Sequence, residues 1–455
     1  MSIFSESTNG KIFRAAVTVG VFSVLVAIGA TLKELIVARY FGRSDLIDAF
    51  LVAYLLPSFL VTVVAGSLGS ALIPVFVETR HREGVEAAQE LFSSVLVLDA
   101  LALLLLAALL GLLAPFYLPY LGSGFSSAKL GLTSDLLLML LPFIFFNGIA
   151  SCVSGALNAG ERFAMPAIVP IVTPVVVIVF LELTAKSWGA FALAAGTVAG
   201  SVIEAGLLAQ ALRTRGIRLA IKWTGLTPAV RSVLRQYTPM LAAAFLMGST
   251  LVVDKAMAAM LSSGSVAALG YANKVISAML AIGATALSTA TFPYFSKMVV
   301  LKDWNGCRHT LKRYSLLVVA TTVPLTLGLM ILAKPLVRLL FQRGAFTGAD
   351  TDLVSRVQIC YLIQVPFYTM GMLFVRFLSA VRRNDVLMYG AGISLALDVI
   401  LNLILMKRWG VAGIALSTSA VYFCSLLYLI ICSVRVLRES RDVVGSRSIS
   451  ASPIA

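Results

Sequence analysis

Lys33, Glu34, Asp254, Lys255 and Lys274 are ionisable residues set in otherwise apolar stretches, and together they suit one task, holding an anion. Three ammonium groups against two carboxylates leave an excess of positive charge, and ammonium groups bind phosphate oxygens through charge-assisted hydrogen bonds. On this reading Lys33, Lys255 and Lys274 bind the phosphate of a substrate, while Glu34 and Asp254 form cavity ion pairs that gate access. The alternative is a set of ion pairs that locks two halves of the protein together without a ligand. Both hold if an arriving anion competes for the lysines. Gly29, Ala30, Ile36 and Val37 surround Lys33, and Thr250, Leu251, Met257 and Ala258 surround Asp254, so neither has an opposite charge three or four positions away. Any ion pairs are therefore expected to cross between helices.

The other buried acids, Asp99, Glu204 and Asp398, suit proton or cation coupling or a hydrogen bond between helices. Arg376 lies near a helix end, where its side chain can reach toward headgroups. Nothing reads as catalytic, and no metal or cofactor is expected. The five cysteines have no paired spacing, and His81 and His309, the only histidines, fall in basic loops. The only Gly-Lys, Gly10-Lys11, lacks the flanking residues of a phosphate-binding loop, so ATP is not the motor.

These residues need a membrane around them. The chain has 455 residues, 59% hydrophobic and 13% charged, with a mean hydropathy of +0.96, more apolar surface than one soluble core can hide. Spans of about 20 apolar residues are expected at roughly 14–38, 46–76, 89–116, 132–157, 165–185 and 188–212. A second set of six follows at roughly 237–262, 266–296, 314–340, 356–381, 385–406 and 410–434. The first begins too late and runs too long for a cleavable signal peptide. With the N-terminus inside, the 36 Lys and Arg favour the inner loops about twofold, which places both termini in the cytoplasm. The net charge of +15 then reflects topology and contact with anionic headgroups, with no nucleic acid as partner.

Counting ~1.5 Å per residue from the expected helix ends, Lys33 and Glu34 lie ~8 Å deep, Asp254 and Lys255 ~10–12 Å, and Lys274 ~12 Å, one depth in the outer half of the bilayer. Each ionised side chain costs roughly 2.5–3.5 kcal/mol at mid-membrane, so all five are expected to face water or one another.

The second half repeats the first. Gly-Glu-Arg-Phe at 160–163, a helix and Trp188-Gly189 are answered by Arg-Arg-Asn-Asp at 382–385, a helix and Trp409-Gly410, with Arg162 matching Arg383. Ile73-Pro74-Val75-Phe76 answers Phe292-Pro293-Tyr294-Phe295, and Pro142-Phe143 answers Pro366-Phe367. The fold class is therefore an all-α polytopic membrane protein, twelve transmembrane helices in two six-helix lobes related by a pseudo-twofold axis. Residues 1–212 form the first lobe, 213–236 a basic cytoplasmic linker, 237–436 the second lobe, and 437–455 a Ser-rich, disordered tail. Pro57, Pro142, Pro174, Pro324 and Pro366 mark places where spans can bend. Gly196 and Gly200 mark close helix packing.

The stretch Val37-Ala38-Arg39-Tyr40-Phe41-Gly42, then Ser44, Asp48-Ala49-Phe50, Pro57, Gly69 and Pro74-Val75-Phe76, resembles the opening of the MurJ/MviN lipid II flippases. So do Gly264-Ser265-Val266, Tyr271-Ala272-Asn273-Lys274, Phe292-Pro293, Gly344-Ala345-Phe346, Asn402 and the run Gly410 to Leu416. The resemblance covers nearly the whole chain and implies the fold of the multidrug/oligosaccharidyl-lipid/polysaccharide (MOP) exporters, with alternating access and structural roles for Gly42, Asp48, Pro57, Pro74 and Pro293. It implies an undecaprenyl-diphosphate-linked saccharide as substrate, either lipid II for peptidoglycan and cell-wall biogenesis or the repeat unit of a surface polysaccharide or exopolysaccharide. Lys33 and Glu34 stand where the family has Arg and Asp, and Lys274 where it has a cavity arginine. Two further cavity arginines fall on Ala27 and near Val61, which are apolar, and the family typically carries two more helices after the twelfth.

The expected function is thus a flippase in the bacterial inner membrane, not an enzyme, carrying its lipid substrate from the inner to the outer leaflet on membrane potential or an ion gradient, with a proton or cation as coupling partner. Membrane lipids surround it, and a monomer is the expected unit. A cation-coupled drug antiporter of the same superfamily is the alternative, although it calls for a negative cavity. A polysaccharide polymerase or glycosyltransferase calls for a loop domain that the short outer loops do not offer.

Overall fold

The structure is a computed structural model that describes residues 8–214 and 223–449. All regular structure among them is helical: α1 (Thr8–Phe41), α2 (Asp45–Leu60), α3 (Gly66–Arg82), α4 (Val85–Leu112), α5 (Ala114–Leu121), α6 (Ser127–Ala159), α7 (Ala164–Ile168), α8 (Val172–Trp188) and α9 (Ala190–Arg213) come first. They are followed by α10 (Pro228–Ala259), α11 (Ser265–Val300), α12 (Trp304–Phe341), α13 (Gly348–Leu362), α14 (Gln364–Ala380), α15 (Asn384–Trp409) and α16 (Val411–Ile449). Eleven segments among the described residues are long and apolar enough to cross a membrane, and α11, at 36 residues, has the length to do so.

Helix starts follow from side chains that replace missing backbone acceptors. Thr227 accepts the Val230 N–H ahead of Pro228, Asp303 accepts the Gly306 N–H at 2.8 Å, and Thr347 with Asp350 forms a reciprocal capping box. The second span runs unbroken from Asp45 to Arg82 through a π turn, Val61–Ala65. Pro57 lies four residues before that turn, and the Val61 N–H is shared by the carbonyls of Pro57 and Ser58, so the wider turn begins where the proline disturbs the ladder.

The contacts divide the chain into two units. The first comprises Met1–Ala267 with Arg343–Phe346, the second Ala268–Gln342 with Thr347–Ala455. Helix α10, expected to open the second lobe, instead packs against α2 and α3 of the first unit. The core of the first unit gathers Phe76, Phe92, Leu157, Leu208 and Val233 from α3, α4, α6, α9 and α10. That of the second gathers Phe295, Phe377, Leu373 and Leu429 from α11, α14 and α16. Since lipid is as apolar as leucine, packing rather than transfer from water holds such helices together, and small residues let them approach closely. A Cβ on Gly200 would stand 2.7 Å from the Thr173 Cα and one on Gly196 2.8 Å from the Val177 Cα, which explains the close seating of α9 on α8.

The sequence repeat reappears in the backbone. After α6, the Glu161 N–H bonds the Asn158 carbonyl and the Arg162 N–H the Leu157 carbonyl, with Glu161 at φ 57°. After α14, Arg382 and Arg383 bond Ser379 and Leu378 in the same way, with Arg382 at φ 62°. Gly189 and Gly410, the residues after the repeated tryptophans, take φ 53° and 56° and bond the carbonyls of Ala185 and Met406. Every partner in one set maps onto its counterpart in the other by a single shift along the chain. At the C-terminus α16 runs on to Ile449, into the segment expected to be disordered.

Candidate functional site

Helix α1 packs against α7 and α8, and Gly29, one turn before Lys33, lies against Ile171 and Pro174. The Lys33 Nζ stands 3.0 Å from the Glu34 Oε1, with the two side chains 29% and 25% exposed. The expectation that the ion pairs cross between helices is thus corrected for Lys33. Its partner is the adjacent residue, which a long flexible ammonium side chain can reach and which a search at three and four positions overlooks. Tyr54 of α2 lies within electrostatic reach of Lys33, Glu34 and Glu204, and Glu204 of α9 accepts a 2.9 Å hydrogen bond from the Thr173 hydroxyl. Lys33 with Glu34 and Thr173 with Glu204 are thus two polar pairs inside the first unit, with Tyr54 in electrostatic reach of both. Glu34 neutralises Lys33 here.

Asp254 is buried and Lys255 half-buried on α10. Because α10 ends at Ala259, they lie only ~6–8 Å from its end, whereas Lys33 is ~12 Å from the end of α1 at Phe41. Lys274, half-buried in the second unit, is ~13 Å from the start of α11. Asp398 is 2% exposed with Asn402 one turn on, in reach of the Ser417 hydroxyl through its own carbonyl. Arg376 is half-buried on α14, close to Tyr368. Asp99, 0% exposed on α4, has no hydrogen-bond partner for either carboxylate oxygen among the described residues.

One cluster escaped sequence reasoning. Asp48 of α2, 1% exposed, accepts the Gly264 N–H at 2.7 Å and the Ala267 N–H at 2.9 Å, capping the start of α11. The Lys129 Nζ of α6 sits 3.3 Å from Asp48 and 2.5 Å from Asp45, over the Phe125 ring at 3.8 Å from its centroid. A helix N-terminus and a buried ammonium both favour a carboxylate at that point. The only signal in the sequence was Asp48 inside a family motif; nothing pairs it with residues more than 200 positions later.

Two other motifs meet in the same unit. The Ala345 N–H donates to the Arg39 carbonyl at 2.8 Å, so the short Arg343–Phe346 segment lies on the end of α1. Gly42 and Gly344 have φ 54° and 60°, and a Cβ on either would collide with backbone of the other segment, at Ala345 and Arg39. Left-handed backbone costs a residue with a Cβ roughly 1–2 kcal/mol before any collision. Gly42→Ala and Gly344→Ala are therefore each expected to lower the thermal midpoint by several degrees, and unchanged melting of both would contradict this packing. Of the remaining motif residues, Pro57 is buried beside the π turn and Pro74 is exposed on α3, while the side chain of Pro293 lies outside the described residues.

Comparison with known proteins gives a consistent picture. The family profile for the lipid II flippase MurJ matches residues 37–448. A probable lipid II flippase MurJ of Bdellovibrio bacteriovorus is 27% identical over 415 residues, 90% of this chain and 79% of that protein. The lipid II flippase MurJ of Burkholderia cenocepacia is 26% identical, covering 81% of this chain and 72% of that one. Among solved structures, a lipid II flippase MurJ in an inward closed conformation superposes with a TM-score of 0.78 at 23% identity, over 96% of this chain and 94% of that chain. An inward-facing multidrug MATE transporter of the MOP superfamily superposes with a TM-score of 0.70 at 12% identity, over 94% and 99%. These two likenesses establish the MOP-exporter fold. Since the family profile spans nearly the whole length from the last turn of α1 to the end of α16, the chain belongs to the MurJ lipid II flippase family.

Proposed function

We propose that this protein moves lipid II, a polyprenyl-diphosphate-linked saccharide, from the inner to the outer leaflet of the bacterial inner membrane by alternating access. The observation that carries the reading is the family match over residues 37–448. Lys33, Lys255 and Lys274 neutralise diphosphate charge, Glu34 holds Lys33 until substrate displaces it, and Asp254 acts beside Lys255 in gating. Glu204 and Asp398 serve ion coupling. The basic ends of the spans, such as Arg80-His81-Arg82 in the last turn of α3, lie in the cytoplasm with both termini, following the bias of Lys and Arg to that side. The energy comes from membrane potential or an ion gradient, and the protein works as a monomer.

A drug-cation antiporter would share the fold, and the carboxylate of Glu34 beside Lys33 suits a cation better than a lone lysine would. The family match favours the lipid-linked substrate. Proteoliposomes holding the full chain and lipid II decide between them. An imposed potential of about 100 mV is worth roughly 2.3 kcal/mol per charge moved, about fiftyfold in an equilibrium, and is expected to drive lipid II across the bilayer. Efflux of organic cations together with static lipid II would reverse the assignment.

A further inference from the structure

Asp99 lies at the middle of α4, ~20 Å from either end of the helix, fully buried and without a hydrogen-bond partner for either oxygen among the described residues. Among the described residues, the charged groups on the membrane-buried parts of the helices packed on α4 stand far along those helices: Lys129, paired with Asp45 and Asp48, and Asp135 lie near the start of α6, and Asp254 and Lys255 near the end of α10. From α6 comes the thiol of Cys152, and from α10 the hydroxyl of Tyr237, both within electrostatic reach. Tyr117 of α5 spends its hydroxyl on the Leu110 carbonyl, and the π turn carries no titratable residue. The charged residues of α3, Glu78, Arg80, His81 and Arg82, are confined to its last turns, and Arg231 and Arg235 of α10 are exposed. A buried carboxyl in such surroundings requires a ligand.

The surroundings also select the ligand. Metal cations need several oxygen donors around them, and no group of three or more His, Cys, Asp or Glu residues fit to hold a metal occurs among the described residues. A proton needs one oxygen. Polar side chains line the first unit at the helix ends that carry Arg80, His81 and Arg82. There a cavity of about 150 Å³ is lined by Thr79, Glu83, Glu90 and Thr224. The Thr224 hydroxyl lies 2.7 Å from that of Ser94, itself fully buried, and Ser94 is five residues, ~7.5 Å, below Asp99 on the same helix. The Tyr237 hydroxyl lies within electrostatic reach of the carboxyl.

We propose that Asp99 is a proton-binding site that exchanges its proton with the cytoplasmic end of the first unit along Ser94, Thr224 and the cavity beneath them. The proposal rests on the transport reading above and deepens it by making the proton the coupling ion. Proton transfer leaves the carboxyl neutral in the conformation described here and requires no other reactant.

Two measurements on the full chain test it, each with Asp99→Asn and with Asp99→Leu, which removes the buried polar atoms and is expected to fold at least as well. Infrared spectra of the purified protein without lipid substrate should show the carbonyl stretch of a protonated carboxylic acid that both variants lack. In proteoliposomes with the potential clamped at zero, a pH gradient should change wild-type flipping by up to about tenfold per pH unit, and that of the variants by less than about twofold. A spectrum unchanged by the substitutions, or variants that keep the wild-type response to the gradient, overturns the proposal. Wild-type protein that moves no lipid II under any gradient would sink the transport reading instead, while the infrared comparison still decides whether Asp99 holds a proton.

Discussion

Each of Lys33→Ala, Lys255→Ala and Lys274→Ala is expected to lower lipid II flipping by about ten- to hundredfold while the protein still folds and inserts. A charge-assisted hydrogen bond is worth roughly 1.5–3 kcal/mol, and a buried diphosphate has no water to replace a missing ammonium. Lys33 needs a second variant because its removal also strips Glu34 of the group 3.0 Å away. Lys33→Met combined with Glu34→Gln removes both charges and should restore the melting temperature without restoring transport. If the double variant flips lipid II at the wild-type rate, Lys33 serves only to balance Glu34. If all three single alanine variants are fully active, the phosphate-binding roles fall together. Flipping rates and thermal melts of the same preparations give both answers.

Asp48→Ala should be the most destabilising single substitution among the family-motif residues, at about 3–5 kcal/mol, because it removes one partner of a buried ion pair and leaves the other behind. Lys129 would keep only Asp45, whose side chain is 60% exposed, and the N–H groups of Gly264 and Ala267 would lose their acceptor at the start of α11. Asp48→Asn retains one acceptor oxygen and should lose about half as much, whereas Lys129→Ala leaves Asp48 with both backbone donors and should be milder than Asp48→Ala. Melting of the detergent-solubilised chain ranks the three. An Asp48→Ala variant that melts with the wild type would show that α11 begins where it does for other reasons. The position matters because the chain passes from the first unit to the second immediately after Ala267.

The amino-acid sequence by itself determined the membrane class, the span positions and the family. Transfer of apolar side chains into lipid adds up locally along a helix, so a window of about 20 residues carries its own signal. The repeat was legible for the same reason: Trp188-Gly189 and Trp409-Gly410 impose the same local turn wherever they occur, and their backbones match. The chemistry of each buried charge was decided elsewhere. Asp48 finds Lys129 and the first turn of α11 across 81 to 219 positions of chain, Asp99 finds no hydrogen-bond partner among the described residues, and α10 packs with the first unit. A charge in a low-dielectric interior takes its meaning from whatever donor stands within about 3 Å. Only the folded chain sets which donor that is, because helix packing brings together residues that no periodicity relates.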